Sequence, residues 1–226
     1  MVPLSFRLPL SSNHMLGIDV SHNNGVISWE KAAAGGVAFA YAKATEGTGF
    51  ADPKFISNWA GMKEAGLPRG AYHFFHPAQS VQAQAAKFVA AVGALAPGDL
   101  PPMLDIEETT PARDEWDSVP LAQRVGLAVG WLEIVEQALG RKPIVYLRRG
   151  FVVEKFGHAG ALTGYPLWVV DYTKAPDPAL PPGWNSWRFW QYSGSGAAVG
   201  VTGQVDLDRF HGAPADLLAL AGRTAA

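Results

Sequence analysis

Leu100-Pro101-Pro102-Met103-Leu104-Asp105-Ile106-Glu107-Glu108 is an apolar run that ends in acid. It reads as a buried strand, and residues i and i+2 of a strand share a face, so Asp105 and Glu107 stand side by side where the hydrophobic run stops. Like charges in a partly desolvated site push one pKa up. One group is then protonated near neutrality while its neighbour is ionised, which is equipment for acid/base chemistry.

Outward from this stretch the chain alternates strand and helix. Upstream, Met15–Ser21 is a first strand with Asp19 near its C-terminal end, Val37–Lys43 a second, and Gly70–His76 a third. Trp29–Ala34 is a short helix, and Asp52-Pro53 opens another in N-cap then N1 order. Val81, Ala85, Phe88, Val92 and Leu95 are spaced as one face of a third helix. Downstream of a loop at Thr109–Pro120, Leu121, Val125, Ala128, Leu132, Val135 and Leu139 repeat the helical spacing up to Gly140, and Lys142–Leu147 is strand five. Pro166–Tyr172, Ser186–Tyr192 and Val205–Phe210 are three further strands without a long helix between them. The expected fold is therefore α/β, a single irregular TIM-like (β/α)5(β)3 barrel. Residues 1–14 form an N-terminal tail, 15–212 the barrel, and 213–226 a C-terminal helix or tail. Active sites of such barrels lie at the C-terminal strand ends. Asp19, the Asp105/Glu107 pair and Asp206 sit at or near the ends of the first, fourth and eighth strands, and the first and eighth become neighbours on closure.

Composition narrows the function. A formal charge of −2 and no basic cluster give no general attraction for nucleic acid or an anionic membrane. Without cysteine there is no disulfide, thiol nucleophile or Cys-based zinc site. The first ten residues, with one positive charge and two prolines, make a poor signal peptide, and no stretch approaches a membrane span. Eight Trp exceed what a core needs, so some are candidates for stacking on sugar rings.

Several segments, in order, resemble glycoside hydrolase family 25, the lysozymes that include the fungal Chalaropsis type. They are Gly17–Ser21, Lys43–Gly47 with Phe50 and Asp52, Ala71–Phe74, Leu104–Glu107, Leu167–Val169, Trp190–Tyr192 and Val205–Asp208. The resemblance implies hydrolysis of the β-1,4 bond between N-acetylmuramic acid and N-acetylglucosamine in bacterial peptidoglycan, at the cell wall and without metal or cofactor; a monomer is expected. It implies that Glu107 is the catalytic acid and that Asp105 orients the substrate's acetamido group as it attacks the anomeric carbon. Asp19 and Asp206 would bind sugar and tune Glu107. Two positions depart from the family pattern: Ala42 replaces a bulky residue, and Asp171 stands where His or Arg often follows.

Other readings compete. Asp208 lies on the same face as Asp206, which the resemblance favours. Lys43 and Glu46 could bind substrate or form an ion pair that fixes a loop. His73 and His76, three apart, fall on opposite faces of a strand and do not suit a shared metal ion. Tyr72, Trp168, Trp190 and Tyr192 are candidate sugar platforms, but alternation alone does not assign their faces. A chitinase-like hydrolase would carry an acid where Met103 stands, and a non-catalytic glycan binder would have no need of a protonated Glu beside an ionised Asp.

Overall fold

The computed structural model describes residues 14–110 and 113–223; most of the expected N-terminal tail and the last three residues lie outside them. The strands are β1 (His14–Val20), β2 (Phe39–Glu46), β3 (Phe50–Ala51), β4 (Arg69–Phe74), β5 (Met103–Asp105), β6 (Ile144–Arg148), β7 (Leu167–Val170), β8 (Phe189–Gly196) and β9 (Val205–His211). Hydrogen bonding follows the order β1-β9-β8-β7-β6-β5-β4-β2, and β2 pairs back onto β1 to close an eight-stranded barrel. β3 is a short hairpin arm on the end of β2.

This architecture overturns the expected TIM-like (β/α)5(β)3 barrel. β1, β2 and β4 to β8 are parallel neighbours, but β9 runs antiparallel to both β8 and β1, so the closed barrel is mixed. The cause is the connection. The segment between β8 and β9 is short and holds Gly200 and Gly203 at positive φ, which suits a hairpin, whereas a parallel return needs a longer crossover. Helical coverage is also uneven. Helices α1 (Trp29–Ala34), α2 (Phe55–Glu64), α3 (Val81–Val92) and α4 (Leu121–Leu139) follow the first four barrel strands. The fifth is followed only by a three-residue turn, α5 (Arg149–Phe151), with π and 3₁₀ turns. Between β7 and β8, Pro176, Pro178, Pro181 and Pro182 deny a helix its N–H donors, and buried Trp184 and Trp187 cover that side of the wall instead. A last helix, α6 (Pro214–Leu220), follows β9. Among the described residues, no helix is long and apolar enough to cross a membrane.

Strand alternation divides the core in two. Ile18, Ala40, Ala42, Ala71, Leu104, Val145, Val169 and Trp190 face outward and pack under the helices. Phe39, Tyr41, Tyr72, Met103, Ile144, Tyr146, Trp168, Phe189 and Phe210 face inward and fill the barrel with large rings. Trp168 stacks on Phe189 at 4.8 Å, and Phe39 and Tyr41 meet that pair edge-on. The interior is thus a solid floor beneath the rim.

Local expectations also shift. α2 begins two residues after Pro53, with Lys54 at its N-cap, so Asp52 does not cap it. Asp52 instead accepts the backbone N–H groups of Lys54 and His22, each at 2.9 Å, and pairs with His22 Nδ1 at 2.8 Å. This ties the loop after β1 to the loop after β2.

The ring-filled interior leaves room only for glycine at certain positions. Gly17 lies opposite Phe39 across the β1–β2 pair, and a Cβ there would overlap the Phe39 ring. Gly17→Ala is expected to lower the free energy of unfolding by about 1–3 kcal/mol in urea titrations. Unchanged stability would contradict the inward packing of Phe39.

Candidate active site

Because β9 is reversed, its first residues lie at the same rim as the last residues of the parallel strands. Asp206, second in β9, is the direct register partner of Asp19 in β1. Asp105 ends β5, and Glu107 follows two residues later. The Glu107 backbone is anchored from outside the barrel: Trp116 Nε1 donates to its carbonyl at 3.0 Å. Trp116 is fully buried, and its ring packs against Phe75, Phe151 and Phe156 at 5.8, 5.6 and 5.2 Å. A rigid aromatic cluster therefore sets where the carboxyl-bearing turn sits.

Burial and mutual repulsion dominate the electrostatics. Glu107 is raised to about 7, first by burial and then by Glu108 and Asp206, while Lys43 and Arg148 oppose the rise. Asp105 is pushed well up by burial and by Glu107, and its Oδ1 has no hydrogen-bond partner. Asp19 is raised by burial and Asp206, and Asp206 by burial. Four carboxyls share one desolvated mouth, so they cannot all be ionised together at neutral pH.

A second layer orients Asp19. Gln191 Nε2 donates to Asp19 Oδ2 at 2.8 Å, while Gln191 Oε1 accepts from Tyr146 Oη at 3.0 Å and from Tyr172 Oη at 2.7 Å. Two hydroxyl donors on one amide oxygen fix which way the amide points.

The four aromatic candidates separate. Tyr72 faces the interior, where Asp19, Asp105 and Asp206 all act on its hydroxyl. Trp168 also faces inward but is fully buried in the floor, leaving no ring face for a sugar. Trp190 and Tyr192 lie on the outer face of β8, with the Arg209 guanidinium 4.8 and 4.4 Å from their ring centres. Trp190 also donates its indole N–H to the Asp171 carbonyl at 2.8 Å, and the Asp171 carboxylate accepts from Ala179 N at 2.8 Å. Trp190, Tyr192, Arg209 and Asp171 brace the wall and its proline-rich loop. Tyr146, Tyr172 and Gln191 were not among the sequence candidates. Gln191 sits inside the Trp190–Tyr192 motif, and an amide between two outward aromatics was the available signal.

Lys43 and Glu46, three apart, would point to opposite faces of a regular strand, yet they form an ion pair at the rim. A register shift between Lys43 and Thr45 reverses the alternation and brings them together. Glu46 Oε1 accepts from His76 Nε2 at 3.1 Å, and Glu115 Oε1 accepts from His76 Nδ1 at 2.8 Å. With a carboxylate on each ring nitrogen, His76 carries both protons, and it links the end of β2 to the loop that holds Trp116. His73 faces the other way, bonded to Thr45 and Gln84 and stacked on Trp131 at 5.3 Å. Among the described residues, no group of three or more histidines and carboxylates could hold a metal ion. A cavity of about 600 Å³ opens on the outer flank, lined by Glu108, Asp114, Asp117, Glu154 and Lys155 among others. Its charges are largely paired, Lys155 with Asp114 and Asp117 at 2.9 and 2.6 Å, whereas the carboxyls with raised pKa values lie in the barrel mouth.

The His76 clamp has a defined pH sign. Its carboxylate partners raise the His76 pKa, so its stabilisation is complete below the ordinary imidazole value and is lost as pH rises through the raised one. Glu46 is lowered to about 2, chiefly by His76, so its share is lost only as pH falls from its ordinary range toward that value. Wild type is therefore expected to melt above a His76→Leu variant at about pH 6, with the gap narrowing at higher pH. A gap that widens with pH would refute the clamp.

Comparison with known proteins gives a consistent relationship. Residues 18–201 match the family model described as glycosyl hydrolases family 25. The chain is 36% identical over 221 residues to Lysozyme M1 of Streptomyces globisporus, covering 96% of this chain and 74% of that protein. It is 30% identical over 202 residues to the N,O-diacetylmuramidase of Chalaropsis sp, covering 84% and 95% of the two chains. The crystal structure of the bacterial lysozyme from Streptomyces coelicolor superposes with a TM-score of 0.88 at 36% identity, covering 95% of this chain and 100% of that one. This chain belongs to glycosyl hydrolases family 25.

Proposed function

We propose that this protein is a muramidase that cleaves the β-1,4 bond between N-acetylmuramic acid and N-acetylglucosamine in bacterial peptidoglycan, acting at the cell wall. The relatives named as lysozyme and N,O-diacetylmuramidase support the substrate class. The observation that carries the reading is Glu107: a carboxyl raised to about 7, anchored through its backbone and open at the rim beside three further acids. It holds a proton near neutrality and is placed to give it to the leaving oxygen, then to take one from water.

Asp105 supplies the second role. Its buried Oδ1 lacks a donor, and a substrate acetamido N–H would satisfy it. That contact would hold the acetamido oxygen against the anomeric carbon, in a substrate-assisted reaction. Asp19, held by Gln191, and Asp206 would bind sugar hydroxyls. Tyr172, 62% exposed with its hydroxyl anchored on Gln191, is a better platform than the buried tryptophans. Lys43 limits how far the acids can rise.

Glu107→Gln keeps the shape and removes the proton, so turnover of purified peptidoglycan is expected to fall at least about 100-fold without loss of fold. In wild type, kcat/KM should decline as pH rises through about 7, where Glu107 ionises. Lys43→Met removes a charge that lowers that pKa, so the alkaline limb should move to higher pH. Full activity of Glu107→Gln, or a limb that moves down in Lys43→Met, would overturn the assignment.

A further inference from the structure

Below Asp19 lies a carboxyl that the scheme above leaves unused. Asp208 is the next inward residue of β9, opposite Gly17 of β1 and Gln191 of β8, and it is fully buried. Among the described residues neither of its oxygens meets hydrogen-bond geometry, and the one donor aimed at it is the indole N–H of Trp168, whose contact favours the ionised form. Its neighbours from the surrounding strands are Asp19, Asp206, Tyr41, Trp168 and Gln191, none of them cationic. The Tyr41 hydroxyl is committed to the Pro101 carbonyl at 3.0 Å, and one of the two Gln191 amide N–H groups to Asp19.

An ionised carboxylate in that position has one indole N–H and no cation to compensate its lost hydration, and burial outweighs that single contact, so the group takes up a proton instead. Once neutral it becomes a donor, and the adjacent acceptor is Asp19. Asp19 Oδ2 accepts from Gln191, and the carboxyl is also in hydrogen-bond contact with Asp206 above it and Asp208 below it. We propose that Asp208 is a positioning residue that remains a neutral carboxylic acid at neutral pH and donates its O–H to Asp19, fixing that carboxylate from beneath the cleft. The directions agree: the contact between the two lowers Asp19 and raises Asp208, as expected when Asp208 is the donor. The negative charge is thereby moved up the column toward Asp206 and the substrate. Asp19's part in sugar binding rests on the muramidase reading; the protonation state of Asp208 does not.

Two measurements on the full chain separate these. In ¹³C NMR of protein labelled at the aspartate carboxyls, the resonance missing from Asp208→Asn is expected at a carboxylic-acid shift and unchanged between about pH 5 and 8. A resonance that has already ionised near the ordinary aspartate value of about 4 would overturn the proposal, whether or not the protein degrades peptidoglycan. In kinetics, Asp208→Leu removes the donor, so kcat is expected to fall about tenfold or more with KM little changed. Asp208→Asn, which replaces O–H with N–H, should rescue most of that loss with a wild-type pH profile. Equal impairment of folded Asn and Leu variants would show that the charge is needed, and full activity of the Leu variant would show that nothing is positioned.

Discussion

Closure of the barrel through the antiparallel β1–β9 pair places Asp19 opposite Asp206 and stacks Asp208 beneath them. Had β9 run parallel to its neighbours, its first residues would lie at the far end of the barrel, away from Asp105 and Glu107. The reversal comes from a glycine-containing hairpin, and it concentrates five carboxyls in one desolvated column and rim. The remaining structure accommodates that concentration. Aromatic rings fill the interior below, Gln191 and its two tyrosines satisfy Asp19, and Lys43 and Arg148 temper the rim.

The energetics favour chemistry over stability at this point. Holding the Glu107 proton up to about 7 corresponds to roughly 3 kcal/mol of selective destabilisation of its carboxylate. A fold whose net stability is about 5–15 kcal/mol can carry this only if the backbone around it is well anchored. Trp116 and the His76 clamp provide the anchoring from two sides, one through packed rings and a hydrogen bond, the other through paired charges. Both act on the segment from Glu107 to Trp116, one at the Glu107 carbonyl and one at Glu115.

Much of this was legible in the sequence because strand alternation has a period of two. Asp105 and Glu107 emerge together at the end of β5, and the helices of the first half follow from their spacing. The direction of β9 was not legible from alternation, which is identical for parallel and antiparallel strands; only the short connection and its glycines carried that information. The faces of Trp190 and Tyr192 were not assignable for a related reason. On a strand buried on both faces, both sets of alternating residues are apolar, so hydrophobicity does not say which set faces inward. Gln191 between them was the polar mark of the inner face. The Lys43–Glu46 pair depends on a bulge, for which the sequence has no simple pattern.

The central claim is that the acids gathered at this rim cleave the muramic-acid side of the glycan. Purified peptidoglycan digested to completion, reduced with borohydride and resolved by mass spectrometry tests it directly. Fragments whose reduced ends are N-acetylmuramic acid are expected. Reduced ends on N-acetylglucosamine would contradict it by showing that a different bond is cut, and the absence of new reducing ends would show that the cleft binds glycan without cleaving it.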